Sequence, residues 1–121
     1  MKNNPVTQIE SPYPIDVSIL YGDKFLVFKL LKLTGRGFIA DTGGVMLKVA
    51  STIPECTFTL PTNGIVISGS LRVIKNYDKP TFSNNKIQDV QRLTELHFQN
   101  LSDWQRKEIR NFLTQVKPAA T

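Results

Sequence analysis

Apolar and polar residues alternate along most of this chain up to Phe98, and after Ser102 the apolar spacing changes from two to three and four. Alternation puts successive side chains on opposite faces of a strand, whereas positions i, i+3, i+4 and i+7 share one face of a helix. Ile15, Val17 and Ile19 predict a first strand over Ile15 to Tyr21, closed by a Gly22-Asp23 turn. A second strand runs from Lys24 to Leu33, apolar enough to be buried on both faces over part of its length, and Thr34-Gly35-Arg36-Gly37 ends it. Phe38-Ile39-Ala40 and Val45 to Val49 read as short strands around the turn Asp41-Thr42-Gly43-Gly44. Cys56 to Leu60 is another strand, followed by the turn signal Asn63-Gly64.

Ile65, Ile67, Leu71 and Val73 then alternate with polar neighbours, and Gly69 interrupts the run as at a barrel bend or bulge. The polar stretch Tyr77 to Lys86, with Pro80 and Asn84-Asn85, predicts a mobile loop. Val90 to Phe98 is the last strand. Ile109, Phe112, Leu113 and Val116 form one apolar stripe on a helix from about Asp103 to Val116, with Ser102 as N-cap and Gln105 at the capping-box position. Residues 1–14, punctuated by Pro5, Pro12 and Pro14, read as an extended arm, and 117–121 as a frayed tail. Six or seven short strands followed by one helix predict a single all-β domain over 15–116, an antiparallel barrel or sandwich closed by a C-terminal helix.

Composition narrows the class. At 121 residues, 40% hydrophobic and 21% charged, the chain is long enough for one modest core. No apolar run approaches the ~20 residues that span a bilayer, so membrane insertion is not expected. No apolar segment follows Lys2, so a signal peptide is not expected, and the lone Cys56 fits a reducing cytoplasm. Cys56 lies in a strand and reads as a small buried hydrophobe rather than a reactive thiol. The net charge of +5 favours an acidic partner, but the cations never form a run longer than two, which speaks for a solvated surface rather than a nucleic-acid footprint.

Nothing in the pattern supplies catalysis. His97 is the only histidine, and its place in an alternating strand suits a satisfied or exposed residue better than a base or a metal ligand. Asp41-Thr42-Gly43 matches a tripeptide of aspartic proteases, but a single copy reads as a turn. No glycine-rich loop with a lysine precedes a helix. The chain is therefore expected to be neither an enzyme nor a holder of a cofactor or metal.

The segment Phe98-Gln99-Asn100-Leu101-Ser102, followed by a helix carrying Ile109, Phe112 and Leu113, resembles the C-terminus of PilZ domains. The resemblance extends over about residues 15–115 and implies a six-stranded antiparallel barrel. PilZ members that bind cyclic di-GMP carry Arg-x-x-x-Arg before the first strand, because planar guanidinium groups stack on guanine and bond it bidentately. Here the first arginine is Arg36, and the arm offers only Lys2. The family's mid-barrel Asp/Asn-x-Ser-x-x-Gly is reduced to its glycine, with Ile39 and Asp41 at the acidic and serine positions. Leu31 to Ile39 is similar instead to divergent pilus-assembly members, which lack the arginines and act on protein partners.

The resemblance thus implies an adaptor in bacterial signalling, motility or type IV pilus assembly, with an acidic protein partner and no nucleic acid. Its candidate contacts are Arg36, Phe38, Trp104, Arg106 and Arg110. Trp104 lies off the helix stripe, so it either covers the connection beside Leu101 or anchors an interface. A second reading, cyclic di-GMP held by substitute cations, would use Lys32, Arg36 and Arg72. An oligonucleotide-binding barrel is a third and weaker one.

Overall fold

A computed structural model of the chain describes residues 9–61 and 63–116, and within these the backbone alone at 9–14, 81, 83, 88 and 116. Six strands, β1 (Ile9–Tyr21), β2 (Lys24–Leu33), β3 (Gly37–Asp41), β4 (Thr52–Thr59), β5 (Val66–Ser83) and β6 (Lys86–Phe98), precede one helix, α1 (Asp103–Val116). The strands close into a barrel in the order β1-β2-β3-β6-β5-β4, every pairing antiparallel. The predicted barrel with its C-terminal helix is therefore the observed fold.

Alternation sets the core. Ile15, Val17 and Ile19 of β1, Phe28 and Leu30 of β2, Phe58 of β4, Ile67 and Leu71 of β5 and Leu96 of β6 all point inward and are buried. β1 begins earlier than the pattern indicates, pairing Ile9 with Leu33 and Glu10 with Lys32. Its register then breaks between Glu10 and Ile15, the interval that holds Pro12 and Pro14, which have no N–H to give a ladder.

Ile109, Phe112 and Leu113 of α1 join the same core. Val116, the fourth stripe position, has its side chain outside the described residues, as do 1–8 of the arm and the tail at 117–121. The helix start differs in detail from a simple capping box. Gln105 Nε2 donates to Ser102 Oγ at 3.2 Å, while Gln105 Oε1 accepts the Ser68 N–H at 2.7 Å, so the capping residue also ties the helix to β5. Gly69 stands where the β4–β5 register shifts, between the pairs Ile53–Leu71 and Cys56–Gly69, and it is also a close-approach site. A Cβ there would meet Leu101 Cδ2 at 2.8 Å and the Asn100 carbonyl oxygen at 3.0 Å, because the β6–α1 connection crosses β5 at this point.

Two further expectations are corrected. Val45 to Val49 is a loop, not a strand: Leu47 is driven into the core and Val45 packs against it half-buried, while Met46 and Val49 are exposed. Tyr77 to Lys86 is not a loop but the far half of a long hairpin, turned by Asn84 (φ 54°) and Asn85 (φ 64°). Both residues adopt the left-handed conformation that asparagine tolerates and two-residue hairpin turns require. The segment reads as polar because it runs beyond the barrel and has no core face.

Burial dictates two measurable outcomes. Phe112 is 1% exposed, and Phe112→Ala is expected to lower unfolding free energy by ~3–5 kcal/mol in a denaturant titration; an unchanged midpoint would remove the helix from the core. Burial also pushes the Cys56 thiol up to about 12, so at neutral pH the nucleophilic thiolate is almost absent. A thiol reagent is expected to leave the native chain unlabelled and to modify it fully once unfolded.

Candidate partner-docking cleft

The β2–β3 connection is built around Thr34. Its Oγ accepts the backbone N–H groups of Arg36 and Gly37, each at 3.1 Å, and its own N–H donates to the Gly37 carbonyl at 2.8 Å. The Arg36 carbonyl in turn accepts the Phe98 N–H at 2.9 Å, which fixes the loop to the end of β6. Gly37 admits no side chain: a Cβ would stand 2.7 Å from the His97 Cα and still nearer the Leu96 carbonyl oxygen. These bonds hold the backbone of Arg36 in place while its side chain remains exposed.

A cleft of about 580 Å³ opens here, lined by Thr34 to Ile39, by Glu95 and His97 of β6, and by Arg106 from the first turn of α1. Arg36 and Arg106, seventy positions apart, thus share one concavity, and among the described residues neither guanidinium has a hydrogen-bond or ion-pair partner. His97 Nε2 stands 2.9 Å from Glu95 Oε2, two positions away on the same outward face. His97 is therefore satisfied, as its strand position suggested. Arg72 is the direct β5 partner of His97, on the outer face beside the cleft rather than in its lining.

The other candidates are placed elsewhere. Phe38 is a correction: it is 2% exposed and packs edge-on against Phe58 and Phe98 at centroid distances of 5.9 and 5.8 Å, so its ring belongs to the core and is not offered to a partner. Lys32 lines a neighbouring depression of about 320 Å³ with Leu31, Ile39, Tyr77, Lys79, Gln91 and Leu93. There burial, and then the Glu95 carboxylate, push the Tyr77 phenol up. Trp104 is 56% exposed, so it does not fold over the connection beside the buried Leu101. At ~100° per residue it lies roughly 160° around the helix from Arg106, which puts the two on different faces. Arg110, exposed and one turn beyond Arg106, extends the arginine face instead.

The Asp41 turn is occupied structurally. Asp41 Oδ1 accepts the Gly43 N–H at 2.9 Å and Oδ2 accepts Gln91 Nε2 at 3.0 Å. Beneath it lies a polar chain that alternation does not reveal. Thr94 Oγ1 donates to Asn76 Oδ1 at 2.6 Å, Asn76 Nδ2 donates to the Leu47 carbonyl at 2.7 Å, and the Thr42 hydroxyl, 3.3 Å from Thr94 Oγ1, completes the series. Among the described residues no three His, Cys, Asp or Glu side chains gather as a metal site needs.

No family model and no curated protein matches the chain. Solved structures do. The PilZ domain with c-di-GMP of YcgR from Escherichia coli superposes with a TM-score of 0.74 at 15% identity, over 90% of this chain and 87% of that one. The Bacillus subtilis inhibitor of motility MotI/DgrA gives 0.75 at 10% identity, over 95% and 51%. MrkH, a c-di-GMP-dependent transcription regulatory factor, gives 0.75 at 11% identity, over 90% and 48%. The chain spans about half the length of the latter two. At these identities the likeness is one of fold, and the fold of this protein is that of the PilZ domains.

Proposed function

We propose that this protein is a non-enzymatic adaptor on a PilZ fold, taking an acidic segment of a protein partner into the Arg36–Arg106 cleft. Bacterial signalling, surface motility or pilus assembly is the setting that the sequence resemblance implies, and the fold likeness to an inhibitor of motility is in keeping with it. One observation carries the reading: two exposed guanidinium groups without partners among the described residues line the same cleft. A carboxylate fits such a pair, as a phosphate also would, since guanidinium forks bond either bidentately. Glu95 and its bond to His97 set one wall and would repel a carboxylate placed wrongly, which adds selectivity.

Direct cyclic di-GMP reception is the second reading, and the layout of the cations disfavours it. The three cations do not form one site: Arg36 lines the cleft and Arg72 stands beside it, but Lys32 belongs to the next depression. The arm carries no arginine to stack on guanine, and the Asp41 carboxylate is engaged by Gly43 and Gln91. A calorimetric titration with cyclic di-GMP at physiological salt is expected to show no binding tighter than about 1 μM, near −8 kcal/mol. A tighter constant that Arg36→Ala abolishes would transfer the function to the nucleotide.

Partner capture from bacterial extract separates the two helix faces. The double variant Arg36→Ala/Arg106→Ala, first shown to be folded, is expected to lose the partner, because each charge-assisted bond contributes about 1.5–3 kcal/mol. Trp104→Ala is expected to retain it. The opposite result would move the docking site to the tryptophan face, and retention by both variants would remove the cleft from the interaction.

A further inference from the structure

The arginine cleft does not stop at Ile39. Ile39, half-buried on the outer face of β3, lines both the cleft and the neighbouring depression that holds Lys32 and Lys79. Glu95 is a second link, since it lines the cleft while its carboxylate acts on the Tyr77 phenol in the depression. The two hollows are therefore parts of one groove across the outer faces of β2, β3, β6 and β5.

The floor of the second part is apolar. Leu93 precedes the inward Thr94 and pairs with Asp41 and Tyr77, so its side chain points away from the barrel interior. It is nevertheless only 4% exposed, and it lies outside the cluster that fills the barrel. Leu31 and Ile39 line the same hollow, half-buried.

Charge gathers at the two ends. Arg36 and Arg106 line one, Lys32 and Lys79 the other, and among the described residues none of the four has an ion-pair partner. Glu95 stands between them. At the borders Arg72 and Lys75 add positive charge, while Asp41, Asp89 and Glu10, the register partner of Lys32, add negative charge. Six cations thus stand against four carboxylates, and the Lys29–Asp16 pair alongside is neutral.

This layout suits a protein segment better than a nucleic acid. A nucleic-acid strand carries a charge on every nucleotide, so it cannot cross Glu95 and Asp41 without repulsion. A base seeking a stacking platform would also find Lys75 Nζ over the Tyr77 ring, 5.3 Å from its centroid. In a protein segment, acids stand only where its sequence puts them. The Arg36 carbonyl is bonded at the level of Phe98, and Lys79 pairs with Gln91, which sets the two cations roughly 24 Å apart along β6 at ~3.4 Å per residue. An extended chain covers that span in about seven residues.

We propose that the segment taken up by the cleft is extended and acidic at both ends, one end on Arg36 and Arg106, the other on Lys32 and Lys79, with an apolar residue over Ile39 between them. This inference rests on the adaptor reading above and adds the pattern that the partner must carry.

The test is an amide chemical-shift titration of the isotope-labelled full chain with acetyl-Glu-Glu-Gly-Ser-Leu-Ser-Gly-Glu-Glu-amide. Two companion peptides carry Gln in place of Glu at one end or the other. The doubly acidic peptide is expected to shift amides from the Arg36 loop to Lys79, and to bind at least about threefold more tightly than either companion. Lys79→Glu, an exposed change that should leave the melting temperature unaltered, is expected to remove that advantage. Lysines at one end of the peptide should then restore it, which a merely structural role of Lys79 would not do. If all three peptides bind equally and Arg36→Ala/Arg106→Ala abolishes binding, the groove ends at Ile39 and the inference fails while the cleft reading stands. If no peptide binds, or if binding ignores the double arginine variant, both fail. An oligothymidylate of about ten nucleotides that binds as tightly as the doubly acidic peptide would assign the groove to a polyphosphate and overturn the proposal.

Discussion

Closure of the barrel rests on its shortest strand. β3 spans only Gly37–Asp41, yet it pairs with β2 on one edge and β6 on the other, and without it both neighbours would be open edges. The closing contact is so tight that Gly37 cannot carry a side chain. Behind it Phe38 brings the ring that meets Phe58 and Phe98, so one five-residue segment supplies both the hydrogen-bonded seam and part of the aromatic centre. The cleft is a by-product of the same contact. The loop that delivers β3 to β6 also holds Arg36 beside the first turn of the helix.

At the far end of β3 the structure turns from apolar to polar cement. Thr42 and Thr94 are both buried, which costs free energy unless their hydroxyls are bonded, and the series through Asn76 to the Leu47 carbonyl satisfies them. Among the described residues no buried side-chain polar atom lacks a partner. The loop after β3 is thereby held over the barrel, Leu47 is seated in the core, and Lys48 N–H donates to the Tyr21 hydroxyl at 3.0 Å. Hydrogen bonding at this end and apolar packing at the helix end leave the molecule with differently made ends.

The sequence was most legible where one face is buried. The inner positions of β1 and the span of the helix follow directly from periodicity, because burial imposes the pattern being read, whereas β2, expected to be buried on both faces over part of its length, buries Phe28 and Leu30 and leaves Phe25 and Val27 exposed. It misled where that cause was absent or imitated. The outer half of the β5–β6 hairpin has no core to face, so its residues show none of the alternation that marks a strand. Val45, Leu47 and Val49 alternate, but only Leu47 is buried, and the chain there follows the Thr42–Thr94–Asn76 series instead of a ladder. Phe38 was legible as a strand residue but not as an interior one, since a five-residue strand gives too few positions to fix its register. The pairing of Arg36 with Arg106 depends on the folded path of the chain between them, which local pattern cannot carry. Trp104 was correctly placed off the helix stripe, yet which side it took relative to the arginines mattered more than its exposure.

Cys56 has a practical consequence. It is the only cysteine in the chain, and it sits 3% exposed inside the barrel wall with its thiol held protonated by burial. The native protein is therefore already a cysteine-silent scaffold. A thiol introduced on the hairpin tip or at the rim of the cleft would be the single point of attachment for a fluorophore or spin label, with no need to remove the natural residue and disturb the packing around it. Both ends of the barrel can then be watched separately in the otherwise unaltered molecule.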